Sequence, residues 1–225
     1  MRLGIVVPAA GTASRFGGGP LGKLMWPVLG RPVVSWTLAA LSGYAWPGEC
    51  RVVIPARPSD FEAISQVANS VLSHSWELCE GGDTRELSVR LAVATLADWA
   101  THILIHDAAR PVLSDDVLAR LMAESHNDCV IPVIPSVDTL KEVIDGQVRR
   151  TVSRENLYRV QTPQVFRAET LVDLYARYPA TGMTDEAGLC ERAGIPVMTV
   201  LGDTRNVKLT YQEDVPFLEM FLRGG

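Results

Sequence analysis

Two basic side chains, Arg15 and Lys23, lie in a glycine-rich segment near the start of the chain that contains no acidic residue. Six glycines fall between positions 11 and 30, and the first carboxylate of the chain is that of Glu49. Small residues allow the backbone to approach a ligand closely, and cations together with backbone N–H groups stabilise phosphate charge. This pattern favours binding of a polyphosphate. The alternative is a flexible surface loop, which is uncommon at this length inside a compact domain.

The segment matches neither of two familiar phosphate-binding motifs. Residues 17–23 nearly spell a P-loop, but Leu24 stands where that motif needs a Ser or Thr hydroxyl for magnesium. The dinucleotide fingerprint needs glycines at fixed offsets and an acid about twenty residues later. Here Ala13 and Phe16 follow Gly11, and no acid precedes Glu49.

Asp107 and Arg110 form a second candidate site, directly after the apolar run at 102–106. In an open α/β sheet the carboxyl ends of the strands line the ligand crevice. A carboxylate there suits ribose hydroxyls or a metal-bound water, and a guanidinium suits a phosphate. A local ion pair on a loop is the alternative.

Two further segments carry polar residues at predicted element ends. Gly82, Asp83 and Ser88 lie where a strand-like run passes into a helix, and a helix N-terminus can hold a base or a phosphate. Asp83 as a simple N-cap and Ser88 as a helix-face residue are the alternatives. Lys208 lies in a short strand-like run between Asn206 and Thr210; a solvated lysine on an edge strand is its alternative.

The elements that must position these residues alternate between strand and helix patterns. Strand-like apolar runs occur at 3–8, 51–55, 76–79, 102–106, 128–134 and 196–200, and helix signals separate most of them. This alternation predicts an α/β, Rossmann-like fold: a mostly parallel twisted sheet with helices on both faces. With 225 residues, 47% of them hydrophobic, we expect a single domain over 1–225.

A β-hairpin departs from this rhythm, with alternating runs at 139–144 and 147–152 joined by Asp145-Gly146. Asp-Gly between two such runs is a strong hairpin signal. A two-stranded ribbon is marginal in water, so this β-arm, at about 136–158, needs a surface to lie against. That surface is either a second subunit or its own domain.

Composition excludes several classes of partner. The net charge of −5 argues against binding of nucleic acid or an anionic membrane. No signal-peptide pattern and no long apolar run occurs, so a cytoplasmic protein is expected. Four dispersed cysteines and four histidines show no metal-ligand spacing, which argues against a structural zinc site.

Several motifs, in collinear order over nearly the whole chain, together resemble one enzyme family. They are Pro8-Ala9-Ala10-Gly11 with Arg15, Lys23, Gly81-Gly82-Asp83 with Arg85, His106-Asp107-Ala108-Ala109-Arg110-Pro111, Gln161-Thr162-Pro163-Gln164, Thr184-Asp185-Glu186-Ala187 and Asn206-Val207-Lys208-Leu209-Thr210. The chain resembles the 2-C-methyl-D-erythritol 4-phosphate cytidylyltransferases of the non-mevalonate isoprenoid pathway. The resemblance implies a homodimeric enzyme that joins CTP to this polyol phosphate, releases pyrophosphate and uses Mg²⁺ held mainly by the CTP phosphates.

The resemblance also implies roles for individual residues. Arg15, Lys23 and Lys208 would be the catalytic cations at the reacting phosphates. The cytidine side would be formed by Ala9, Ala10, Gly11, Gly82, Asp83 and Ser88, and the ribose side by Asp107. The methylerythritol phosphate would be held by Arg110, Thr139 and Arg154, the last two from the arm of a neighbouring subunit.

Two departures from the family pattern fall in the glycine-rich segment. The family usually has a second glycine where this chain has Ala13, and a proline where it has Gly22. A looser loop would hold Lys23 less rigidly before the transition state is reached.

Three other functions remain as alternatives. A ribitol 5-phosphate cytidylyltransferase would share the CTP loop and differ around the arm. A non-catalytic nucleotide-binding regulator would keep the crevice without needing the cations. An NAD-linked dehydrogenase would need the glycine pattern and ribose acid that are missing here.

Overall fold

The computed structural model describes residues 1–11, 16–17, 22–178 and 183–224, and most of its strands join one eight-stranded sheet. The strands are β1 (Arg2–Val6), β2 (Pro27–Val28), β3 (Arg31–Pro32), β4 (Glu49–Ala56), β5 (Ser75–Glu80), β6 (His102–Ile105), β7 (Cys129–Pro135), β8 (Leu140–Ile144), β9 (Gln147–Val152), β10 (Tyr158–Val160), β11 (Gln164–Arg167) and β12 (Met198–Leu201). The α-helices are α1 (Val33–Gly43), α2 (Phe61–Val71), α3 (Arg85–Leu96), α4 (Asp115–Ala123), α5 (Ala168–Arg177), α6 (Ala187–Ala193) and α7 (Val215–Arg223).

The sheet has a parallel half and a mixed half. Strands β5, β4, β1 and β6 are neighbours in that order and run parallel, so their carboxyl ends meet at one edge. Beyond β6, strand β11 pairs antiparallel with both β6 and β7. Strand β10 is antiparallel to β7, and β12 is parallel to it. The edge formed by β5, β4, β1 and β6 is where the predicted crevice should lie.

Strand β1 shows why the sheet is covered on both faces. Leu3 and Ile5 are fully buried on one face and Val6 on the other, as the two-residue period of a strand requires. Gly4 lies under α3, and a Cβ on it would come within 2.6 Å of the side chain of Leu96. The helix therefore packs directly on the backbone of the central strand.

Helices cover both faces of the sheet. Helices α1, α2, α4 and α7 contribute to the hydrophobic core on one face, and α3, α5 and α6 to the core on the other. The predicted α/β fold is therefore confirmed. All six predicted strand-like runs are strands. Gly194 caps α6 in the left-handed conformation, with φ of 71°.

The hairpin of β8 and β9 forms a two-stranded sheet of its own, separate from the main sheet. Asp145 and Gly146 have φ of 49° and 78°, as the tight turn predicted from Asp-Gly requires. The side chains of Val143 and Val148 are 55% and 61% exposed. The arm thus presents apolar surface that the described part of its own chain leaves uncovered.

Two helix starts differ from the sequence patterns. Thr84, rather than Asp83, caps α3, because its side chain accepts a hydrogen bond from the amide of Leu87. Ser59 opens the pattern Ser59-x-x-Glu62, which has capping-box spacing, but it lies in the 3-10 turn Pro58–Asp60 that precedes α2. Asp83 and Thr84 offer the same capping chemistry at the start of α3, and the structure uses Thr84, whereas no side chain caps α2.

None of the helices in the described part of the chain is both long enough and apolar enough to cross a membrane.

Candidate active site

Three loops meet at the carboxyl edge of the parallel strands. The loop after β1 is tied to β4 by the amide of Ala9, which donates to the carbonyl of Pro55 at 2.8 Å. The loop after β5 is tied to the same strand by the amide of Gly81, which donates to Ala56 at 2.8 Å. Asp107 is the second residue of the loop after β6. The sheet therefore brings the predicted site residues of these three loops to one edge.

The first two loops pack closely against each other. Ala9 and Ala10 are buried, whereas Gly11 is exposed. A Cβ on Gly81 would lie 2.4 Å from the Cβ of Ala10, so a larger residue at position 81 would push the loops apart. Small side chains on both loops bring their backbones together.

Ser88 supports the turn that carries Gly82 and Asp83. Its hydroxyl donates to the carbonyl of Thr84 at 2.8 Å and accepts from the amide of Gly82 at 3.1 Å. Ser88 is buried, whereas Asp83 is exposed. In this structure Ser88 shapes the backbone of the turn rather than offering a free hydroxyl to a ligand.

Asp107 is the centre of the site, because three cations converge on its carboxylate. Arg85 Nε lies 3.1 Å from Oδ1, while Arg110 Nε and Lys208 Nζ lie 3.3 and 2.9 Å from Oδ2. The Asp107 side chain is only 8% exposed. The Asp107–Arg110 ion pair expected as an alternative does occur, but as part of a buried cluster rather than as an isolated surface pair.

Electrostatics keep Asp107 ionised. Burial alone would raise the pKa of its carboxyl group, but the charges of Arg85, Lys208 and Arg110 outweigh burial and hold that pKa well below its usual range. The carboxylate is therefore a permanent negative charge that draws three cations to one point.

A chain of hydrogen bonds holds the backbone around Asp107. The amide of Asp107 donates to Thr162 Oγ1 at 3.0 Å, and that hydroxyl lies 3.1 Å from Nδ1 of His106. His106 Nε2 lies 3.1 Å from the carbonyl of Arg110, so the ring must carry its proton on Nε2. Burial lowers the pKa of His106 to about 4, with Asp107 opposing that shift, so the ring is neutral at pH 7.

Lys208 reaches the cluster from a segment fastened on both sides. Before it, the carbonyl of Asn206 accepts a hydrogen bond from Arg110 Nη1 at 2.8 Å. After it, the amide of Leu209 donates to the carbonyl of Ala109 at 2.8 Å. The Lys208 side chain is 35% exposed, so its ammonium group is held in place and is still accessible to a ligand.

Arg85 extends the cluster to a second buried carboxylate. Its Nη1 donates to Oε1 and Oε2 of Glu186 at 2.9 and 3.0 Å, and the Glu186 side chain is 2% exposed. Burial raises the pKa of Glu186 above its usual value, and the charge of Arg85 opposes that rise. Glu186 is thus a buried acid whose carboxylate is paired with Arg85.

A pocket of about 190 Å³ opens beside these charges. It is lined by ten residues from five segments of the chain, and nine of the ten are polar or charged: Arg85, Asp107, Arg110, Val160, Gln161, Thr162, Gln164, Thr184, Asp185 and Lys208. Gln164 Oε1 is buried without a hydrogen-bond partner among the residues described. Cations and hydrogen-bonding groups on one wall suit a small, anionic, hydroxylated ligand.

The glycine-rich segment is only partly described. Arg15 and Ala13 lie outside the described residues. Lys23 is half-buried, at the start of an apolar stretch whose Leu24 and Trp26 carbonyls accept hydrogen bonds, both of 3.0 Å, from the first amides of α1. Lys23 is thus attached to a firmly held segment on its C-terminal side.

The two predicted site residues of the arm are exposed. Thr139 precedes β8 and Arg154 follows β9, and Arg154 Nη1 donates to the carbonyl of Val137. None of the hydrogen bonds or ion pairs described for Thr139 or Arg154 connects it to the Asp107 cluster. The single chain therefore assembles the Asp107 cluster without the arm.

Among the described residues, no group of three or more His, Cys, Asp or Glu side chains could hold a metal ion. The carboxylates nearest the pocket, Asp107 and Asp185, already accept from Lys208 and from Gln164 Nε2, at 2.9 and 2.8 Å. The protein oxygens at the site suit a cation that arrives with its own ligands better than a metal bound by protein alone.

Four residues of the cluster were not among the predicted site residues: Arg85, His106, Thr162 and Glu186. All four lie within the motifs that carry the family resemblance. The sequence shows that each motif is present, but it does not show which residues of the motif face the ligand and which hold another side chain. The presence of these four residues within the motifs was the only sign in the sequence that they belong to the site.

Comparison with known proteins gives one family. Residues 3–224 match the model of the family described as "IspD: 2-C-methyl-D-erythritol 4-phosphate cytidylyltransferase". A protein of Sphingopyxis alaskensis named "Bifunctional enzyme IspD/IspF" is 38% identical over 216 residues, which are 95% of this chain and 53% of that protein. A protein of the same name from Rhizobium leguminosarum bv. trifolii is 39% identical, over 94% of this chain and 54% of that protein. The chain thus spans about half the length of these curated relatives.

Solved structures of similar proteins superpose on this chain over nearly its full length. The 4-diphosphocytidyl-2C-methyl-D-erythritol synthase of Anaerococcus prevotii superposes with a TM-score of 0.82 at 29% identity, covering 98% of both chains. The 2-C-methyl-D-erythritol 4-phosphate cytidylyltransferase of Thermus thermophilus gives a TM-score of 0.77 at 31% identity, covering 99% of this chain and 100% of that one.

Proposed function

The chain belongs to the 2-C-methyl-D-erythritol 4-phosphate cytidylyltransferase family, and from this membership we propose that it joins CTP to 2-C-methyl-D-erythritol 4-phosphate. The products are 4-diphosphocytidyl-2-C-methyl-D-erythritol and pyrophosphate, and the reaction belongs to isoprenoid precursor biosynthesis. The observation that carries the proposal is the convergence of Arg85, Arg110 and Lys208 on Asp107 at the mouth of the crevice.

The reaction needs fixed cations more than it needs a covalent intermediate. A phosphate oxygen of the polyol attacks the α-phosphorus of CTP, a new P–O bond forms, and the bond to the bridging oxygen of pyrophosphate breaks. Both reactants are anions, so the barrier arises from their repulsion and from charge that builds on the leaving group. Positively charged groups held in place before the reaction lower this barrier without reorganising.

In our proposal Lys208 supplies one of these charges. Its ammonium group is held against Asp107 at 2.9 Å and is partly exposed, so a phosphate oxygen can contact it from the solvent side. Lys23 and Arg15 would contact the triphosphate from the glycine-rich segment. Arg110, on the pocket wall, would bind the phosphate of the polyol bidentately.

The cytidine would lie over the loops after β1 and β5. The small side chains of Ala9, Ala10, Gly11 and Gly82 would let the nucleotide approach the backbone closely, and Asp83 is exposed beside them. Ser88 would act by holding the amide of Gly82 in place. On the ribose side, Asp107 would bind hydroxyl groups directly or through water.

Magnesium would enter with the triphosphate. Mg²⁺ usually keeps several waters and is bound by substrate phosphates with one or two carboxylates. Asp107 would be the residue that holds the ion, either directly or through water. The ion would neutralise the charge that develops on the pyrophosphate.

We also propose a cytoplasmic homodimer formed through the β-arm, with residues 1–225 acting as one nucleotidyltransferase domain. The exposed apolar side chains of the arm support this arrangement. Thr139 and Arg154 would then reach the polyol phosphate in the site of the neighbouring subunit.

Pyrophosphate release by the purified protein tests the proposed function. We expect release only when CTP, Mg²⁺ and 2-C-methyl-D-erythritol 4-phosphate are all present, and little release when ATP, GTP or UTP replaces CTP. Ribitol 5-phosphate is the control alcohol, because the alternative cytidylyltransferase would prefer it. The names of the related proteins favour methylerythritol phosphate, and faster turnover with ribitol 5-phosphate would overturn that choice of substrate.

A further inference from the structure

Glu186 is a buried acid for which the reaction itself gives no task. It lies at the N-terminal end of α6 with its side chain 2% exposed, and it does not line the pocket. A buried carboxylate is costly unless it is paired, and here both oxygens accept from one nitrogen of Arg85. Any effect of Glu186 on the site therefore passes through the position of the Arg85 guanidinium group.

Arg85 joins two carboxylates through different edges of its guanidinium group. Nε donates to Asp107 Oδ1 at 3.1 Å, and Nη1 donates to Glu186. A guanidinium is planar and rigid, so fixing one edge fixes the direction of the other. Glu186 thereby sets the position from which Arg85 holds Oδ1 of Asp107.

The orientation of Asp107 in turn decides where Lys208 lies. With Oδ1 held by Arg85, the carboxylate presents Oδ2 to Lys208 at 2.9 Å and to Arg110 at 3.3 Å. Without Glu186, Arg85 would be a partly exposed cation on the pocket wall with a single carboxylate partner. It could then turn toward an incoming phosphate and release Asp107.

We propose that Glu186 is a positioning residue that acts through Arg85 and Asp107 to hold the ammonium group of Lys208 in its reactive place. This inference rests on the proposed function. It also gives Arg85 a specific role: Arg85 stays with the two carboxylates while Lys208 and Arg110 face the phosphates.

A purely structural role for Glu186 predicts different behaviour. If the residue only ties α6 to α3, its replacement would lower stability and leave the turnover of the folded protein unchanged. If it positions Lys208, its replacement would lower kcat and change KM for CTP little, because the lost interaction matters mainly in the transition state.

The test measures kcat and KM of pyrophosphate release for the full chain carrying Glu186→Gln, alone and together with Lys208→Ala. We expect Glu186→Gln alone to lower kcat roughly tenfold, with KM for CTP within about twofold of wild type. In the Lys208→Ala background the same change should cost less than about twofold, because residues that act as a unit are not additive. Glu186→Asp, which keeps the charge, should recover part of the lost kcat.

A matched control is available on α5. Asp173→Asn breaks an ion pair of 2.9 Å with Arg177, changes a carboxylate to an amide in the same way, and should leave kcat unchanged. If Glu186→Gln does not fold, Arg85→Lys serves in its place, because one ammonium cannot reproduce the fork between two carboxylates. Arg85→Lys should lower kcat when it is made in the wild-type chain, and it should not lower kcat further when it is made in the Lys208→Ala chain.

Two results would overturn the inference. One is an unchanged kcat in the folded Glu186 or Arg85 variant, and the other is an equal fold-loss with and without Lys208. If the wild type is active and the variants give either result, the proposed function stands and only this inference fails. A wild type that releases no pyrophosphate would overturn the proposed function and this inference with it.

Discussion

Asp107 organises the candidate site because it is buried and ionised at the same time. A buried carboxylate is unfavourable without partners, and the fold supplies Arg85, Arg110 and Lys208 within 3.3 Å. The cations need the carboxylate as well, since without it three positive charges would repel one another at one point. The site is therefore already charged and ordered before any phosphate binds.

Lys208 should be essential for turnover if its ammonium group stabilises the transition state. We expect Lys208→Ala to lower kcat by about 10²- to 10³-fold, the size observed when one preorganised donor is lost. The measurement is steady-state pyrophosphate release. The control is Arg223→Ala, which removes a cation from a surface pair with Glu219 on α7. A Lys208 variant with near wild-type kcat would contradict this role.

His106 should make stability depend on pH in mildly acidic solution. Its pKa is lowered from 6.5 to about 4 by burial, so the unfolded chain binds a proton between these values that the folded chain does not. The contribution of His106 to the free energy of unfolding is fully present above pH 6.5 and is lost as the pH falls toward 4. The loss should be about 3 kcal/mol for this one residue.

Urea unfolding between pH 4 and 7 measures this effect. The difference in unfolding free energy between wild type and His106→Gln should shrink as the pH falls. Exposed His126, changed to Gln, is the control. A difference that does not vary with pH would mean that the folded protein accepts a proton on His106 as easily as the unfolded chain.

Elements with a strong local pattern were predictable, and those set by distant contacts were not. The six strand-like runs and the Asp-Gly hairpin have periodicity or turn residues that can be recognised within a few consecutive residues. The antiparallel insertion of β11 between β6 and β7 depends on contacts between residues far apart in sequence, such as Val165 with Leu104 and Val130. No local signal distinguishes it from another parallel strand.

The structure also explains the apolar stretch after Lys23. Phe16 is buried against Trp26 in an edge-to-face pair with ring centroids 5.2 Å apart, and its carbonyl accepts from Gln212 Nε2 at 3.3 Å. Trp26 therefore anchors the glycine-rich segment at Phe16, between the two predicted cations. Firm anchoring of this kind offsets the looseness expected from Gly22.

Removal of this anchor should impair turnover more than stability. We expect Trp26→Leu to lower kcat/KM for CTP by about two- to tenfold, because the pair is worth roughly 0.5–1.5 kcal/mol beyond its buried area. Trp46→Leu is a matched control, since Trp46 forms a similar edge-to-face pair with Tyr44 at 4.7 Å. Equal losses of kcat/KM in both variants would show that the anchor has no specific effect on the site.

For the whole molecule, the predicted family and the α/β fold are confirmed, whereas the assembly stays a prediction. The family motifs could be found in sequence because they are short and collinear. Which of their residues bind ligand could not, because Arg85 and Glu186 differ from ligand-binding residues only in where the fold directs them. The exposed Val143 and Val148 of the arm are the observation on which the proposed dimer rests.

Mixed dimers test whether the arm completes the neighbouring site. Lys23→Ala and Arg154→Ala subunits should each be nearly inactive alone. After exchange, half of the dimers would be mixed and each would contain one intact site, so about a quarter of wild-type activity should return. Native mass spectrometry verifies the exchange. No recovery in verified mixed dimers would contradict a shared site.

Phosphorus-31 NMR of the protein with CTP, Mg²⁺ and 2-C-methyl-D-erythritol 4-phosphate follows the proposed transfer at the reacting phosphorus atoms themselves. We predict that the monoester signal of the polyol disappears while a new diphosphate diester and pyrophosphate appear in equal amounts. An unchanged monoester signal, or CTP converted only to CDP and inorganic phosphate, would contradict cytidylyl transfer to this polyol.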